Sequence, residues 1–181
     1  MKRRAFFAFL ATAAVAACAT PSVRIGPDGL PLPQVYQMPD DAVVLYNMLD
    51  ALNAVRGNAG VASVRLNAQL NAAAATHSRD MAVQNRPWHF GSDGSSPIDR
   101  AQRAGYSGRL LGENISETYE SELETVAAWM QQADTRDVIT DPDARDLGFA
   151  FYQEETGKIW WTMVTGDGGT TGQGLPANSN S

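Results

Sequence analysis

The chain has 181 residues, enough for one domain with a core and two tails, since single domains usually contain roughly 100 to 200 residues. Its composition, 44% hydrophobic and 19% charged, is typical of a globular protein. The formal net charge is −6 at pH 7. Because an acidic protein does not favour DNA, RNA or anionic lipid headgroups, we expect no nucleic-acid partner.

The first residues have the three-part layout of an export signal. Three basic residues at positions 2 to 4 precede an apolar stretch from Ala5 to Ala17, which is shorter than the roughly 20 residues of a membrane-spanning helix. It ends in Val15-Ala16-Ala17-Cys18, which resembles a bacterial lipobox, and Cys18 has no second cysteine to pair with. We interpret residues 1–17 as a lipoprotein signal peptide and expect lipidated Cys18 to hold the protein on an envelope membrane. Ordinary cleavage at the Ala-x-Ala site is the alternative.

Composition also divides the rest of the chain. Five of the nine prolines lie between Ala19 and Asp40, which predicts a semi-stiff tether over residues 18–40. Residues 167–181 are mainly Gly, Thr, Asn and Ser and are predicted to be a flexible tail. The folded domain is therefore expected over residues 41–166.

Two long helices are predicted at the start of the domain. The first can be capped by Asp40 or Asp41 and ended by Gly57. The second is predicted from about Asn67 to Asn85, with His77 on its apolar face. The apolar residues at helical spacing in the first helix are Leu45, Met48, Leu49, Leu52 and Val55.

Shorter elements follow. Ser96-Pro97 predicts the start of a third helix, and Ser121 with Glu124 predicts a capping box that starts a fourth. Short strands are expected around Trp88–Phe90 and Glu113–Ser116. Alternation over Leu147–Gln153 and Lys158–Thr165, joined by a Gly-containing turn, predicts a β-hairpin. Together, these helices, short strands and the hairpin predict an α+β domain with a mainly antiparallel sheet.

The two histidines are the first candidates for chemistry. His77 lies on an apolar helix face, where a hydrogen-bonded core histidine is the main interpretation and a ligand role the alternative. His89 precedes a loop of small residues, and Glu113 is its natural partner if the two short strands pair. Such a pair is a general acid/base pair, half of a metal site or a structural hydrogen bond, and the spacing leaves all three open.

Other catalytic patterns are weak. A zinc site normally needs three or four protein ligands, so two histidines would have to be completed by carboxylates. The acidic stretch 141–146 does not fit an EF-hand, because Arg145 and Asp146 occupy positions of a ligand and of the glycine. No Gly-x-Ser-x-Gly elbow occurs.

Several ordered motifs together resemble bacterial CAP-domain proteins, the superfamily of cysteine-rich secretory proteins, antigen 5 and plant pathogenesis-related proteins. The resemblance runs from about Leu45 to Gly166. The motifs are His77-Ser78-Arg79-Asp80-Met81-Ala82, His89, Ser92-Asp93-Gly94-Ser95-Ser96-Pro97 with Arg100, Ala104-Gly105-Tyr106, Gly112-Glu113-Asn114-Ile115, Trp129-Met130 and Trp160-Trp161.

The resemblance implies an α-β-α sandwich with a cleft that holds two histidines and two acidic residues. His89 and Glu113 match the first histidine and one glutamate. Thr135, beside Arg136, stands where bacterial members usually place the second histidine. Asp134 or Glu124 could substitute for the missing histidine. If a divalent cation binds, we expect it at His89 and Glu113.

The sequence therefore predicts an exported protein of the bacterial cell envelope, facing the periplasm or the cell surface. Its cleft is expected at His89, Glu113, Asp134 and Thr135. We expect a non-enzymatic binding module for a small apolar or lipid ligand or for an envelope protein partner. The alternative is a cation-assisted hydrolase of an envelope substrate, with His89 as base and Glu113 orienting it.

Overall fold

The structure is a computed structural model, and it describes Ile25 and residues 29–30, 36–117 and 119–169. The chain divides after Gln34, and the fold below is that of the second part. The predicted signal peptide, Cys18, most of the tether and the tail beyond Gly169 lie outside the described residues. Within the described residues, no helix is both long enough and apolar enough to cross a membrane.

Five helices occur in the described part of the chain, and polar side chains mark their ends. Asp40 caps the first helix by accepting a hydrogen bond from the Ala42 amide at 2.9 Å. Asn67 caps the second, and Asn85 ends it in the left-handed conformation with φ of 48°. The helices are α1 (Asp41–Asn58), α2 (Ala68–Gln84), α3 (Pro97–Arg103), α4 (Glu122–Gln131) and α5 (Ala133–Thr140).

Four strands form one sheet in the order β1-β3-β4-β2. The last two strands are the predicted hairpin, and the antiparallel pairing of β4 with both β3 and β2 makes the sheet mainly antiparallel. Only the two-residue β1 pairs in parallel, with β3. The strands are β1 (Arg65–Leu66), β2 (Leu110–Glu117), β3 (Asp146–Gln153) and β4 (Ile159–Gly166).

Helices cover both faces of the sheet. One layer is α2 with α3, which packs Leu70, Ala74 and Ala101 against Val164 of β4. The other layer is α1 with α4 and α5, which buries the larger core around Trp129 and the opposite side of the sheet. The predicted α-β-α sandwich is confirmed, and the two layers give two independent surfaces.

The strand predicted around Trp88–Phe90 is wrong. Trp88 is irregular and His89 and Phe90 form bends, and side chains rather than a neighbouring strand donate to their backbone carbonyls. The Trp88 carbonyl accepts from His77, the His89 carbonyl from Arg100 and the Phe90 carbonyl from Gln84. Because these three carbonyls already accept hydrogen bonds from side chains, the segment is satisfied without pairing to a strand.

The predicted capping box of α4 is half right. Ser121 Oγ accepts from the Glu124 amide at 3.3 Å, as expected. The Glu124 carboxylate, however, accepts from the amide of Glu120 at 3.3 Å and not from that of Ser121. The Glu124 side chain therefore bonds the amide one residue before the N-cap residue Ser121.

The structure also adds order at the end of the domain, where the tail was expected to begin. Asp167 accepts from the Arg109 amide at 2.9 Å, and the Gly168 amide donates to the Tyr106 hydroxyl at 3.0 Å. These bonds tie residues 167–169 to the segment that precedes β2.

Candidate functional site

The loop between α2 and α3 carries His89 and is shaped by α2 itself. Asp80 of α2 accepts from the Ser92 amide at 2.7 Å and from its hydroxyl at 2.6 Å. The Gly91 amide closes the turn onto the Ser95 carbonyl at 2.8 Å. A Cβ atom at position 91 would clash with the hydroxyl of Ser95 and the carboxylates of Asp93 and Asp80, so only glycine fits here. The loop is thereby fixed against α2.

Glu113 of β2 lies at the centre of the site. Its side chain is only 3% exposed, and both carboxylate oxygens are engaged. Oε1 lies 2.9 Å from His89 Nδ1, and Oε2 accepts from Arg100 Nη2 at 2.7 Å. The expected contact of His89 with Glu113 is present, although no strand pairing produces it.

Arg100, predicted only as part of a motif of the resemblance, is the third member of the cluster. It is 5% exposed, and besides Glu113 it donates to the carbonyls of His89 and Ser95, both at 3.0 Å. One guanidinium thus fixes the carboxylate and both ends of the loop. The motif did not assign it this role, because a basic residue in the last turn of a seven-residue helix is ordinary.

His89 presents one ring nitrogen to the surface. A carboxylate only accepts hydrogen bonds, so Nδ1 of His89 donates to Glu113, and in the neutral ring Nε2 is the acceptor. The side chain is 51% exposed, and Nε2 has no hydrogen-bond partner in the described part of the chain. A ligand that donates a hydrogen bond could therefore be recognised at Nε2.

His77 lies beneath the site and is fully buried, as predicted. Its Nε2 is 2.9 Å from the Trp88 carbonyl and must donate, which leaves Nδ1 as a buried acceptor without a hydrogen-bond partner. Burial lowers the pKa of His77, and the negative charge of Glu113, whose Oε1 is 3.7 Å from Nε2, only partly opposes this. The ring is therefore held in its neutral form.

The arrangement does not suit a divalent cation. Of the two candidate ligands, Glu113 already holds the positive charge of Arg100 on one oxygen and the donor of His89 on the other. Among the described residues, no three or more His, Cys, Asp or Glu side chains are grouped so that they could hold a metal ion. A cation at Glu113 would have to displace a buried guanidinium.

Asp134 and Thr135 are not joined to this cluster. Thr135 Oγ1 donates to the Trp129 carbonyl at 2.5 Å, and the Thr135 carbonyl accepts from Asn114 at 2.8 Å. Asn114 and Glu113 are neighbours on β2, so their side chains point to opposite faces of the sheet. Asp134 is exposed in the first turn of α5. Neither residue has a hydrogen bond or ion pair to His89 or Glu113 in this structure.

A groove of about 630 Å³ runs between α2, α3 and the loop that follows His89. More of its surface is apolar than polar, although five charged side chains also line it. Arg100 lines the groove and also donates to the His89 carbonyl, so one side chain connects the groove to the loop of the histidine. Helix residues that line the groove include Ala72, Ala73, Thr76, Val83 and Ala104.

A family model supports the resemblance seen in the sequence. The model described as CAP, cysteine-rich secretory protein family, matches residues 49–165. The chain is also 29% identical over 119 residues to the uncharacterized protein YkwD of Bacillus subtilis (strain 168). That match covers 66% of this chain and only 46% of the relative.

Solved structures share the fold. An outer surface protein of Borrelia burgdorferi superposes with a TM-score of 0.66 at 13% identity, covering 72% of this chain and 96% of that one. An extracellular protein of Bacillus anthracis str. Ames that contains an SCP domain gives 0.65 at 21% identity, covering 80% of this chain and 45% of that one. At such identities the likeness concerns the fold.

Proposed function

Because the chain belongs to the CAP, or cysteine-rich secretory protein, family, we propose that it is an exported binding domain. It takes a small apolar or lipid ligand in the α2–α3 groove and does not catalyse a reaction on it. The family spans diverse activities, so the proposal depends on the site of this chain.

The groove is the observation that carries this proposal. Its volume of about 630 Å³ lies within the range of roughly 300 to 1,000 Å³ that is usual for ligand pockets. Apolar surface dominates its lining, and His89 Nε2 stands at the end of the same loop as a ready acceptor. An apolar body in the groove and one polar group at His89 would satisfy both features.

The chemistry of the cluster favours binding over catalysis. Glu113 is committed to two donors, and within the described residues His89 has no serine, threonine or cysteine among its hydrogen-bond partners. Catalysis by a serine, threonine or cysteine nucleophile needs that group within hydrogen-bond reach of the base.

Native mass spectrometry tests the proposal. The chain with Cys18→Ser would be exported through a standard signal peptide and purified without detergent or chelator. We expect an excess mass of lipid size, lost in Thr76→Trp, which fills the groove from an exposed position of α2. Thr156→Trp, at an exposed turn of the hairpin outside the groove, is the matched control and should keep the ligand. A bare mass in every form, or equal loading in both tryptophan variants, would contradict the proposal.

The hydrolase remains the second candidate, and one observation favours it. The bond from His89 Nδ1 to Glu113 orients Nε2 as a base, the arrangement that activates water in many enzymes. It predicts turnover of an envelope substrate that His89→Ala abolishes while the fold survives. Since the carboxylate holds Arg100, added metal should leave such turnover unchanged.

The last part of the proposal concerns where in the cell the protein is held. We propose that the leader directs export and that Cys18 carries the lipid anchor. Fractionation of cells tests this: the native protein should sediment with membranes, and Cys18→Ser should move it to the released fraction. Equal distribution of both forms would exclude the anchor.

A further inference from the structure

We propose that the N-terminal halves of α1 and α4 form a docking surface for a basic, amphipathic segment of another envelope protein. This α1–α4 face comprises the apolar residues Val43, Tyr46, Tyr119 and Leu123 with the acidic residues Glu120 and Glu124. It lies on the layer opposite the α2–α3 groove, so the inference does not rest on the function proposed for that groove.

Large apolar side chains are exposed on both helices of this face. Tyr46 is 60% exposed and Leu123 is 63% exposed. Val43 and Tyr119 are each about two-fifths to one-half exposed. Single exposed apolar residues are normal, but several on one face indicate an interaction surface.

A hydrogen bond joins the two halves of the face. Asn47 Nδ2 donates to Glu122 Oε1 at 2.7 Å, which fixes the middle of α1 to the first turn of α4. Because α1 and α4 lie in one layer and bury their inner sides in the same core, their exposed apolar residues face outward from that layer.

The charge of the face has one sign. No lysine or arginine occurs between Tyr36 and Val55 or between Leu110 and Thr135. Over the same stretches the chain places Asp40, Asp41 and Asp50 along α1. A partner that covers this face therefore gains by carrying positive charge.

A depression on α4 has the shape for a basic side chain. Its volume is about 490 Å³, and it is lined by Tyr119, Glu120, Glu124, Ala127, Ala128 and Gln131. The aliphatic stem of a lysine or arginine can lie on the alanines and the ring, with its charge at the carboxylates. Glu124 gives one oxygen to the Glu120 amide and keeps the other available.

Charge also decides between possible occupants. An anionic bilayer would be repelled by these carboxylates. A second copy of the chain would bring the same acidic residues face to face across an isologous contact. A cationic amphipathic segment satisfies both the apolar and the acidic residues of the face.

The test uses a labelled Lys/Leu peptide of roughly four helical turns, with its Glu/Leu counterpart as control. Fluorescence anisotropy with the full chain should show binding of the Lys/Leu peptide that weakens at high salt. The double variant Glu120→Gln/Leu123→Ser should lose at least about tenfold in affinity. Its matched control, Ile98→Ser/Glu155→Gln, removes one exposed apolar residue and one exposed charge outside both surfaces and should bind normally.

NMR amide shifts locate the contact. Shifts concentrated in α1 and α4 support the proposal. It is overturned by no binding, by equal loss in both double variants or by shifts spread over other acidic stretches. Sedimentation of a dimer that the Leu123 variant dissociates would assign the face to self-association, and pelleting with phospholipid vesicles through Leu123 would assign it to a membrane.

Discussion

The buried pair of Glu113 and Arg100 is the residue-scale feature on which the loop of His89 depends. Both side chains are 5% exposed or less, and among the described residues Arg100 forms an ion pair with Glu113 alone. Removing one member of such a pair leaves an uncompensated buried charge, which usually costs about 3 to 5 kcal/mol. We expect Glu113→Gln to lower the free energy of unfolding by this amount in urea denaturation.

A double-mutant cycle supplies the control for that expectation. Arg100→Met/Glu113→Gln removes the stranded charge, so the double variant should be less destabilised than the sum of the two single variants. Additive effects would mean that the pair does not act as a unit.

His77 makes stability depend on pH. The folded protein holds the pKa of His77 below the ordinary imidazole value of about 6.5, mainly by burial. As pH falls below about 6.5, the unfolded chain takes up a proton at this residue that the folded chain does not. The free energy of unfolding should therefore fall toward acid, by up to about 1.4 kcal/mol per pH unit from this group.

The variant His77→Gln tests this effect, since a glutamine amide can still donate to the Trp88 carbonyl but does not titrate. Urea denaturation at several pH values should show a shallower loss for His77→Gln than for the native protein. His89→Gln, which changes the exposed histidine, should keep the component due to His77. Parallel curves for the native protein and His77→Gln would show that His77 is not held neutral.

At the same scale, the sequence could predict a pair but not a cluster. His89 and Glu113 were paired on the expectation that two short strands meet; those strands do not pair, but His89 Nδ1 does lie 2.9 Å from Glu113 Oε1. Arg100 was not placed there, because its role depends on the direction in which α3 packs. Thr135 was expected in the cleft from the resemblance, yet its hydroxyl is bonded to the α4 carbonyl of Trp129.

At the scale of elements, Arg56 joins four parts of the chain. It is 1% exposed and donates to the carbonyls of Ala62, Ile139, Asp141 and Ala144. These contacts connect the end of α1 to the end of α5 and the start of β3. Because each stranded buried carbonyl costs about 1 to 3 kcal/mol, Arg56→Met should destabilise the domain by at least about 3 kcal/mol in urea denaturation.

The control is another arginine on a helix. Arg79 of α2 is exposed, so Arg79→Met should change the free energy of unfolding by no more than about 0.5 kcal/mol. Equal effects of the two substitutions would show that the carbonyl contacts of Arg56 do not matter.

Elements with a clear apolar period were predictable, and those without one were not. α1, α2 and the hairpin carry such periods, and their caps or turns lie beside them. α5 buries only Ile139, so its sequence has no apolar stripe to signal a helix. β1 is two residues long and exists only because Asp146 and Leu147 of β3 pair with it.

At the scale of the whole molecule, the sheet separates two surfaces with different properties. The α2–α3 layer provides a groove whose surface is more apolar than polar, and the α1–α4 face provides exposed apolar residues together with acidic ones. Gly148 and Gly112 stand on opposite faces of the sheet, one under each layer. They allow the two layers to be disturbed separately.

Gly148 lets α2 lie directly on β3. A methyl group at this position would clash with the backbone of Leu70, which can move only if the helix moves. We expect Gly148→Ala to destabilise the domain by about 1 to 3 kcal/mol and to weaken ligand retention in the α2–α3 groove, measured by thermal unfolding and native mass spectrometry.

Gly112→Ala is the matched substitution in the other layer. Its methyl group would lie 2.7 and 2.8 Å from the two methyls of Val138, so α5 rather than α2 would have to shift. The domain should again lose stability, but the groove should keep its ligand, since α2 is undisturbed. If Gly112→Ala emptied the groove as fully as Gly148→Ala, the two layers would be coupled through the sheet, and the groove could not be treated as a site of the α2–α3 layer alone.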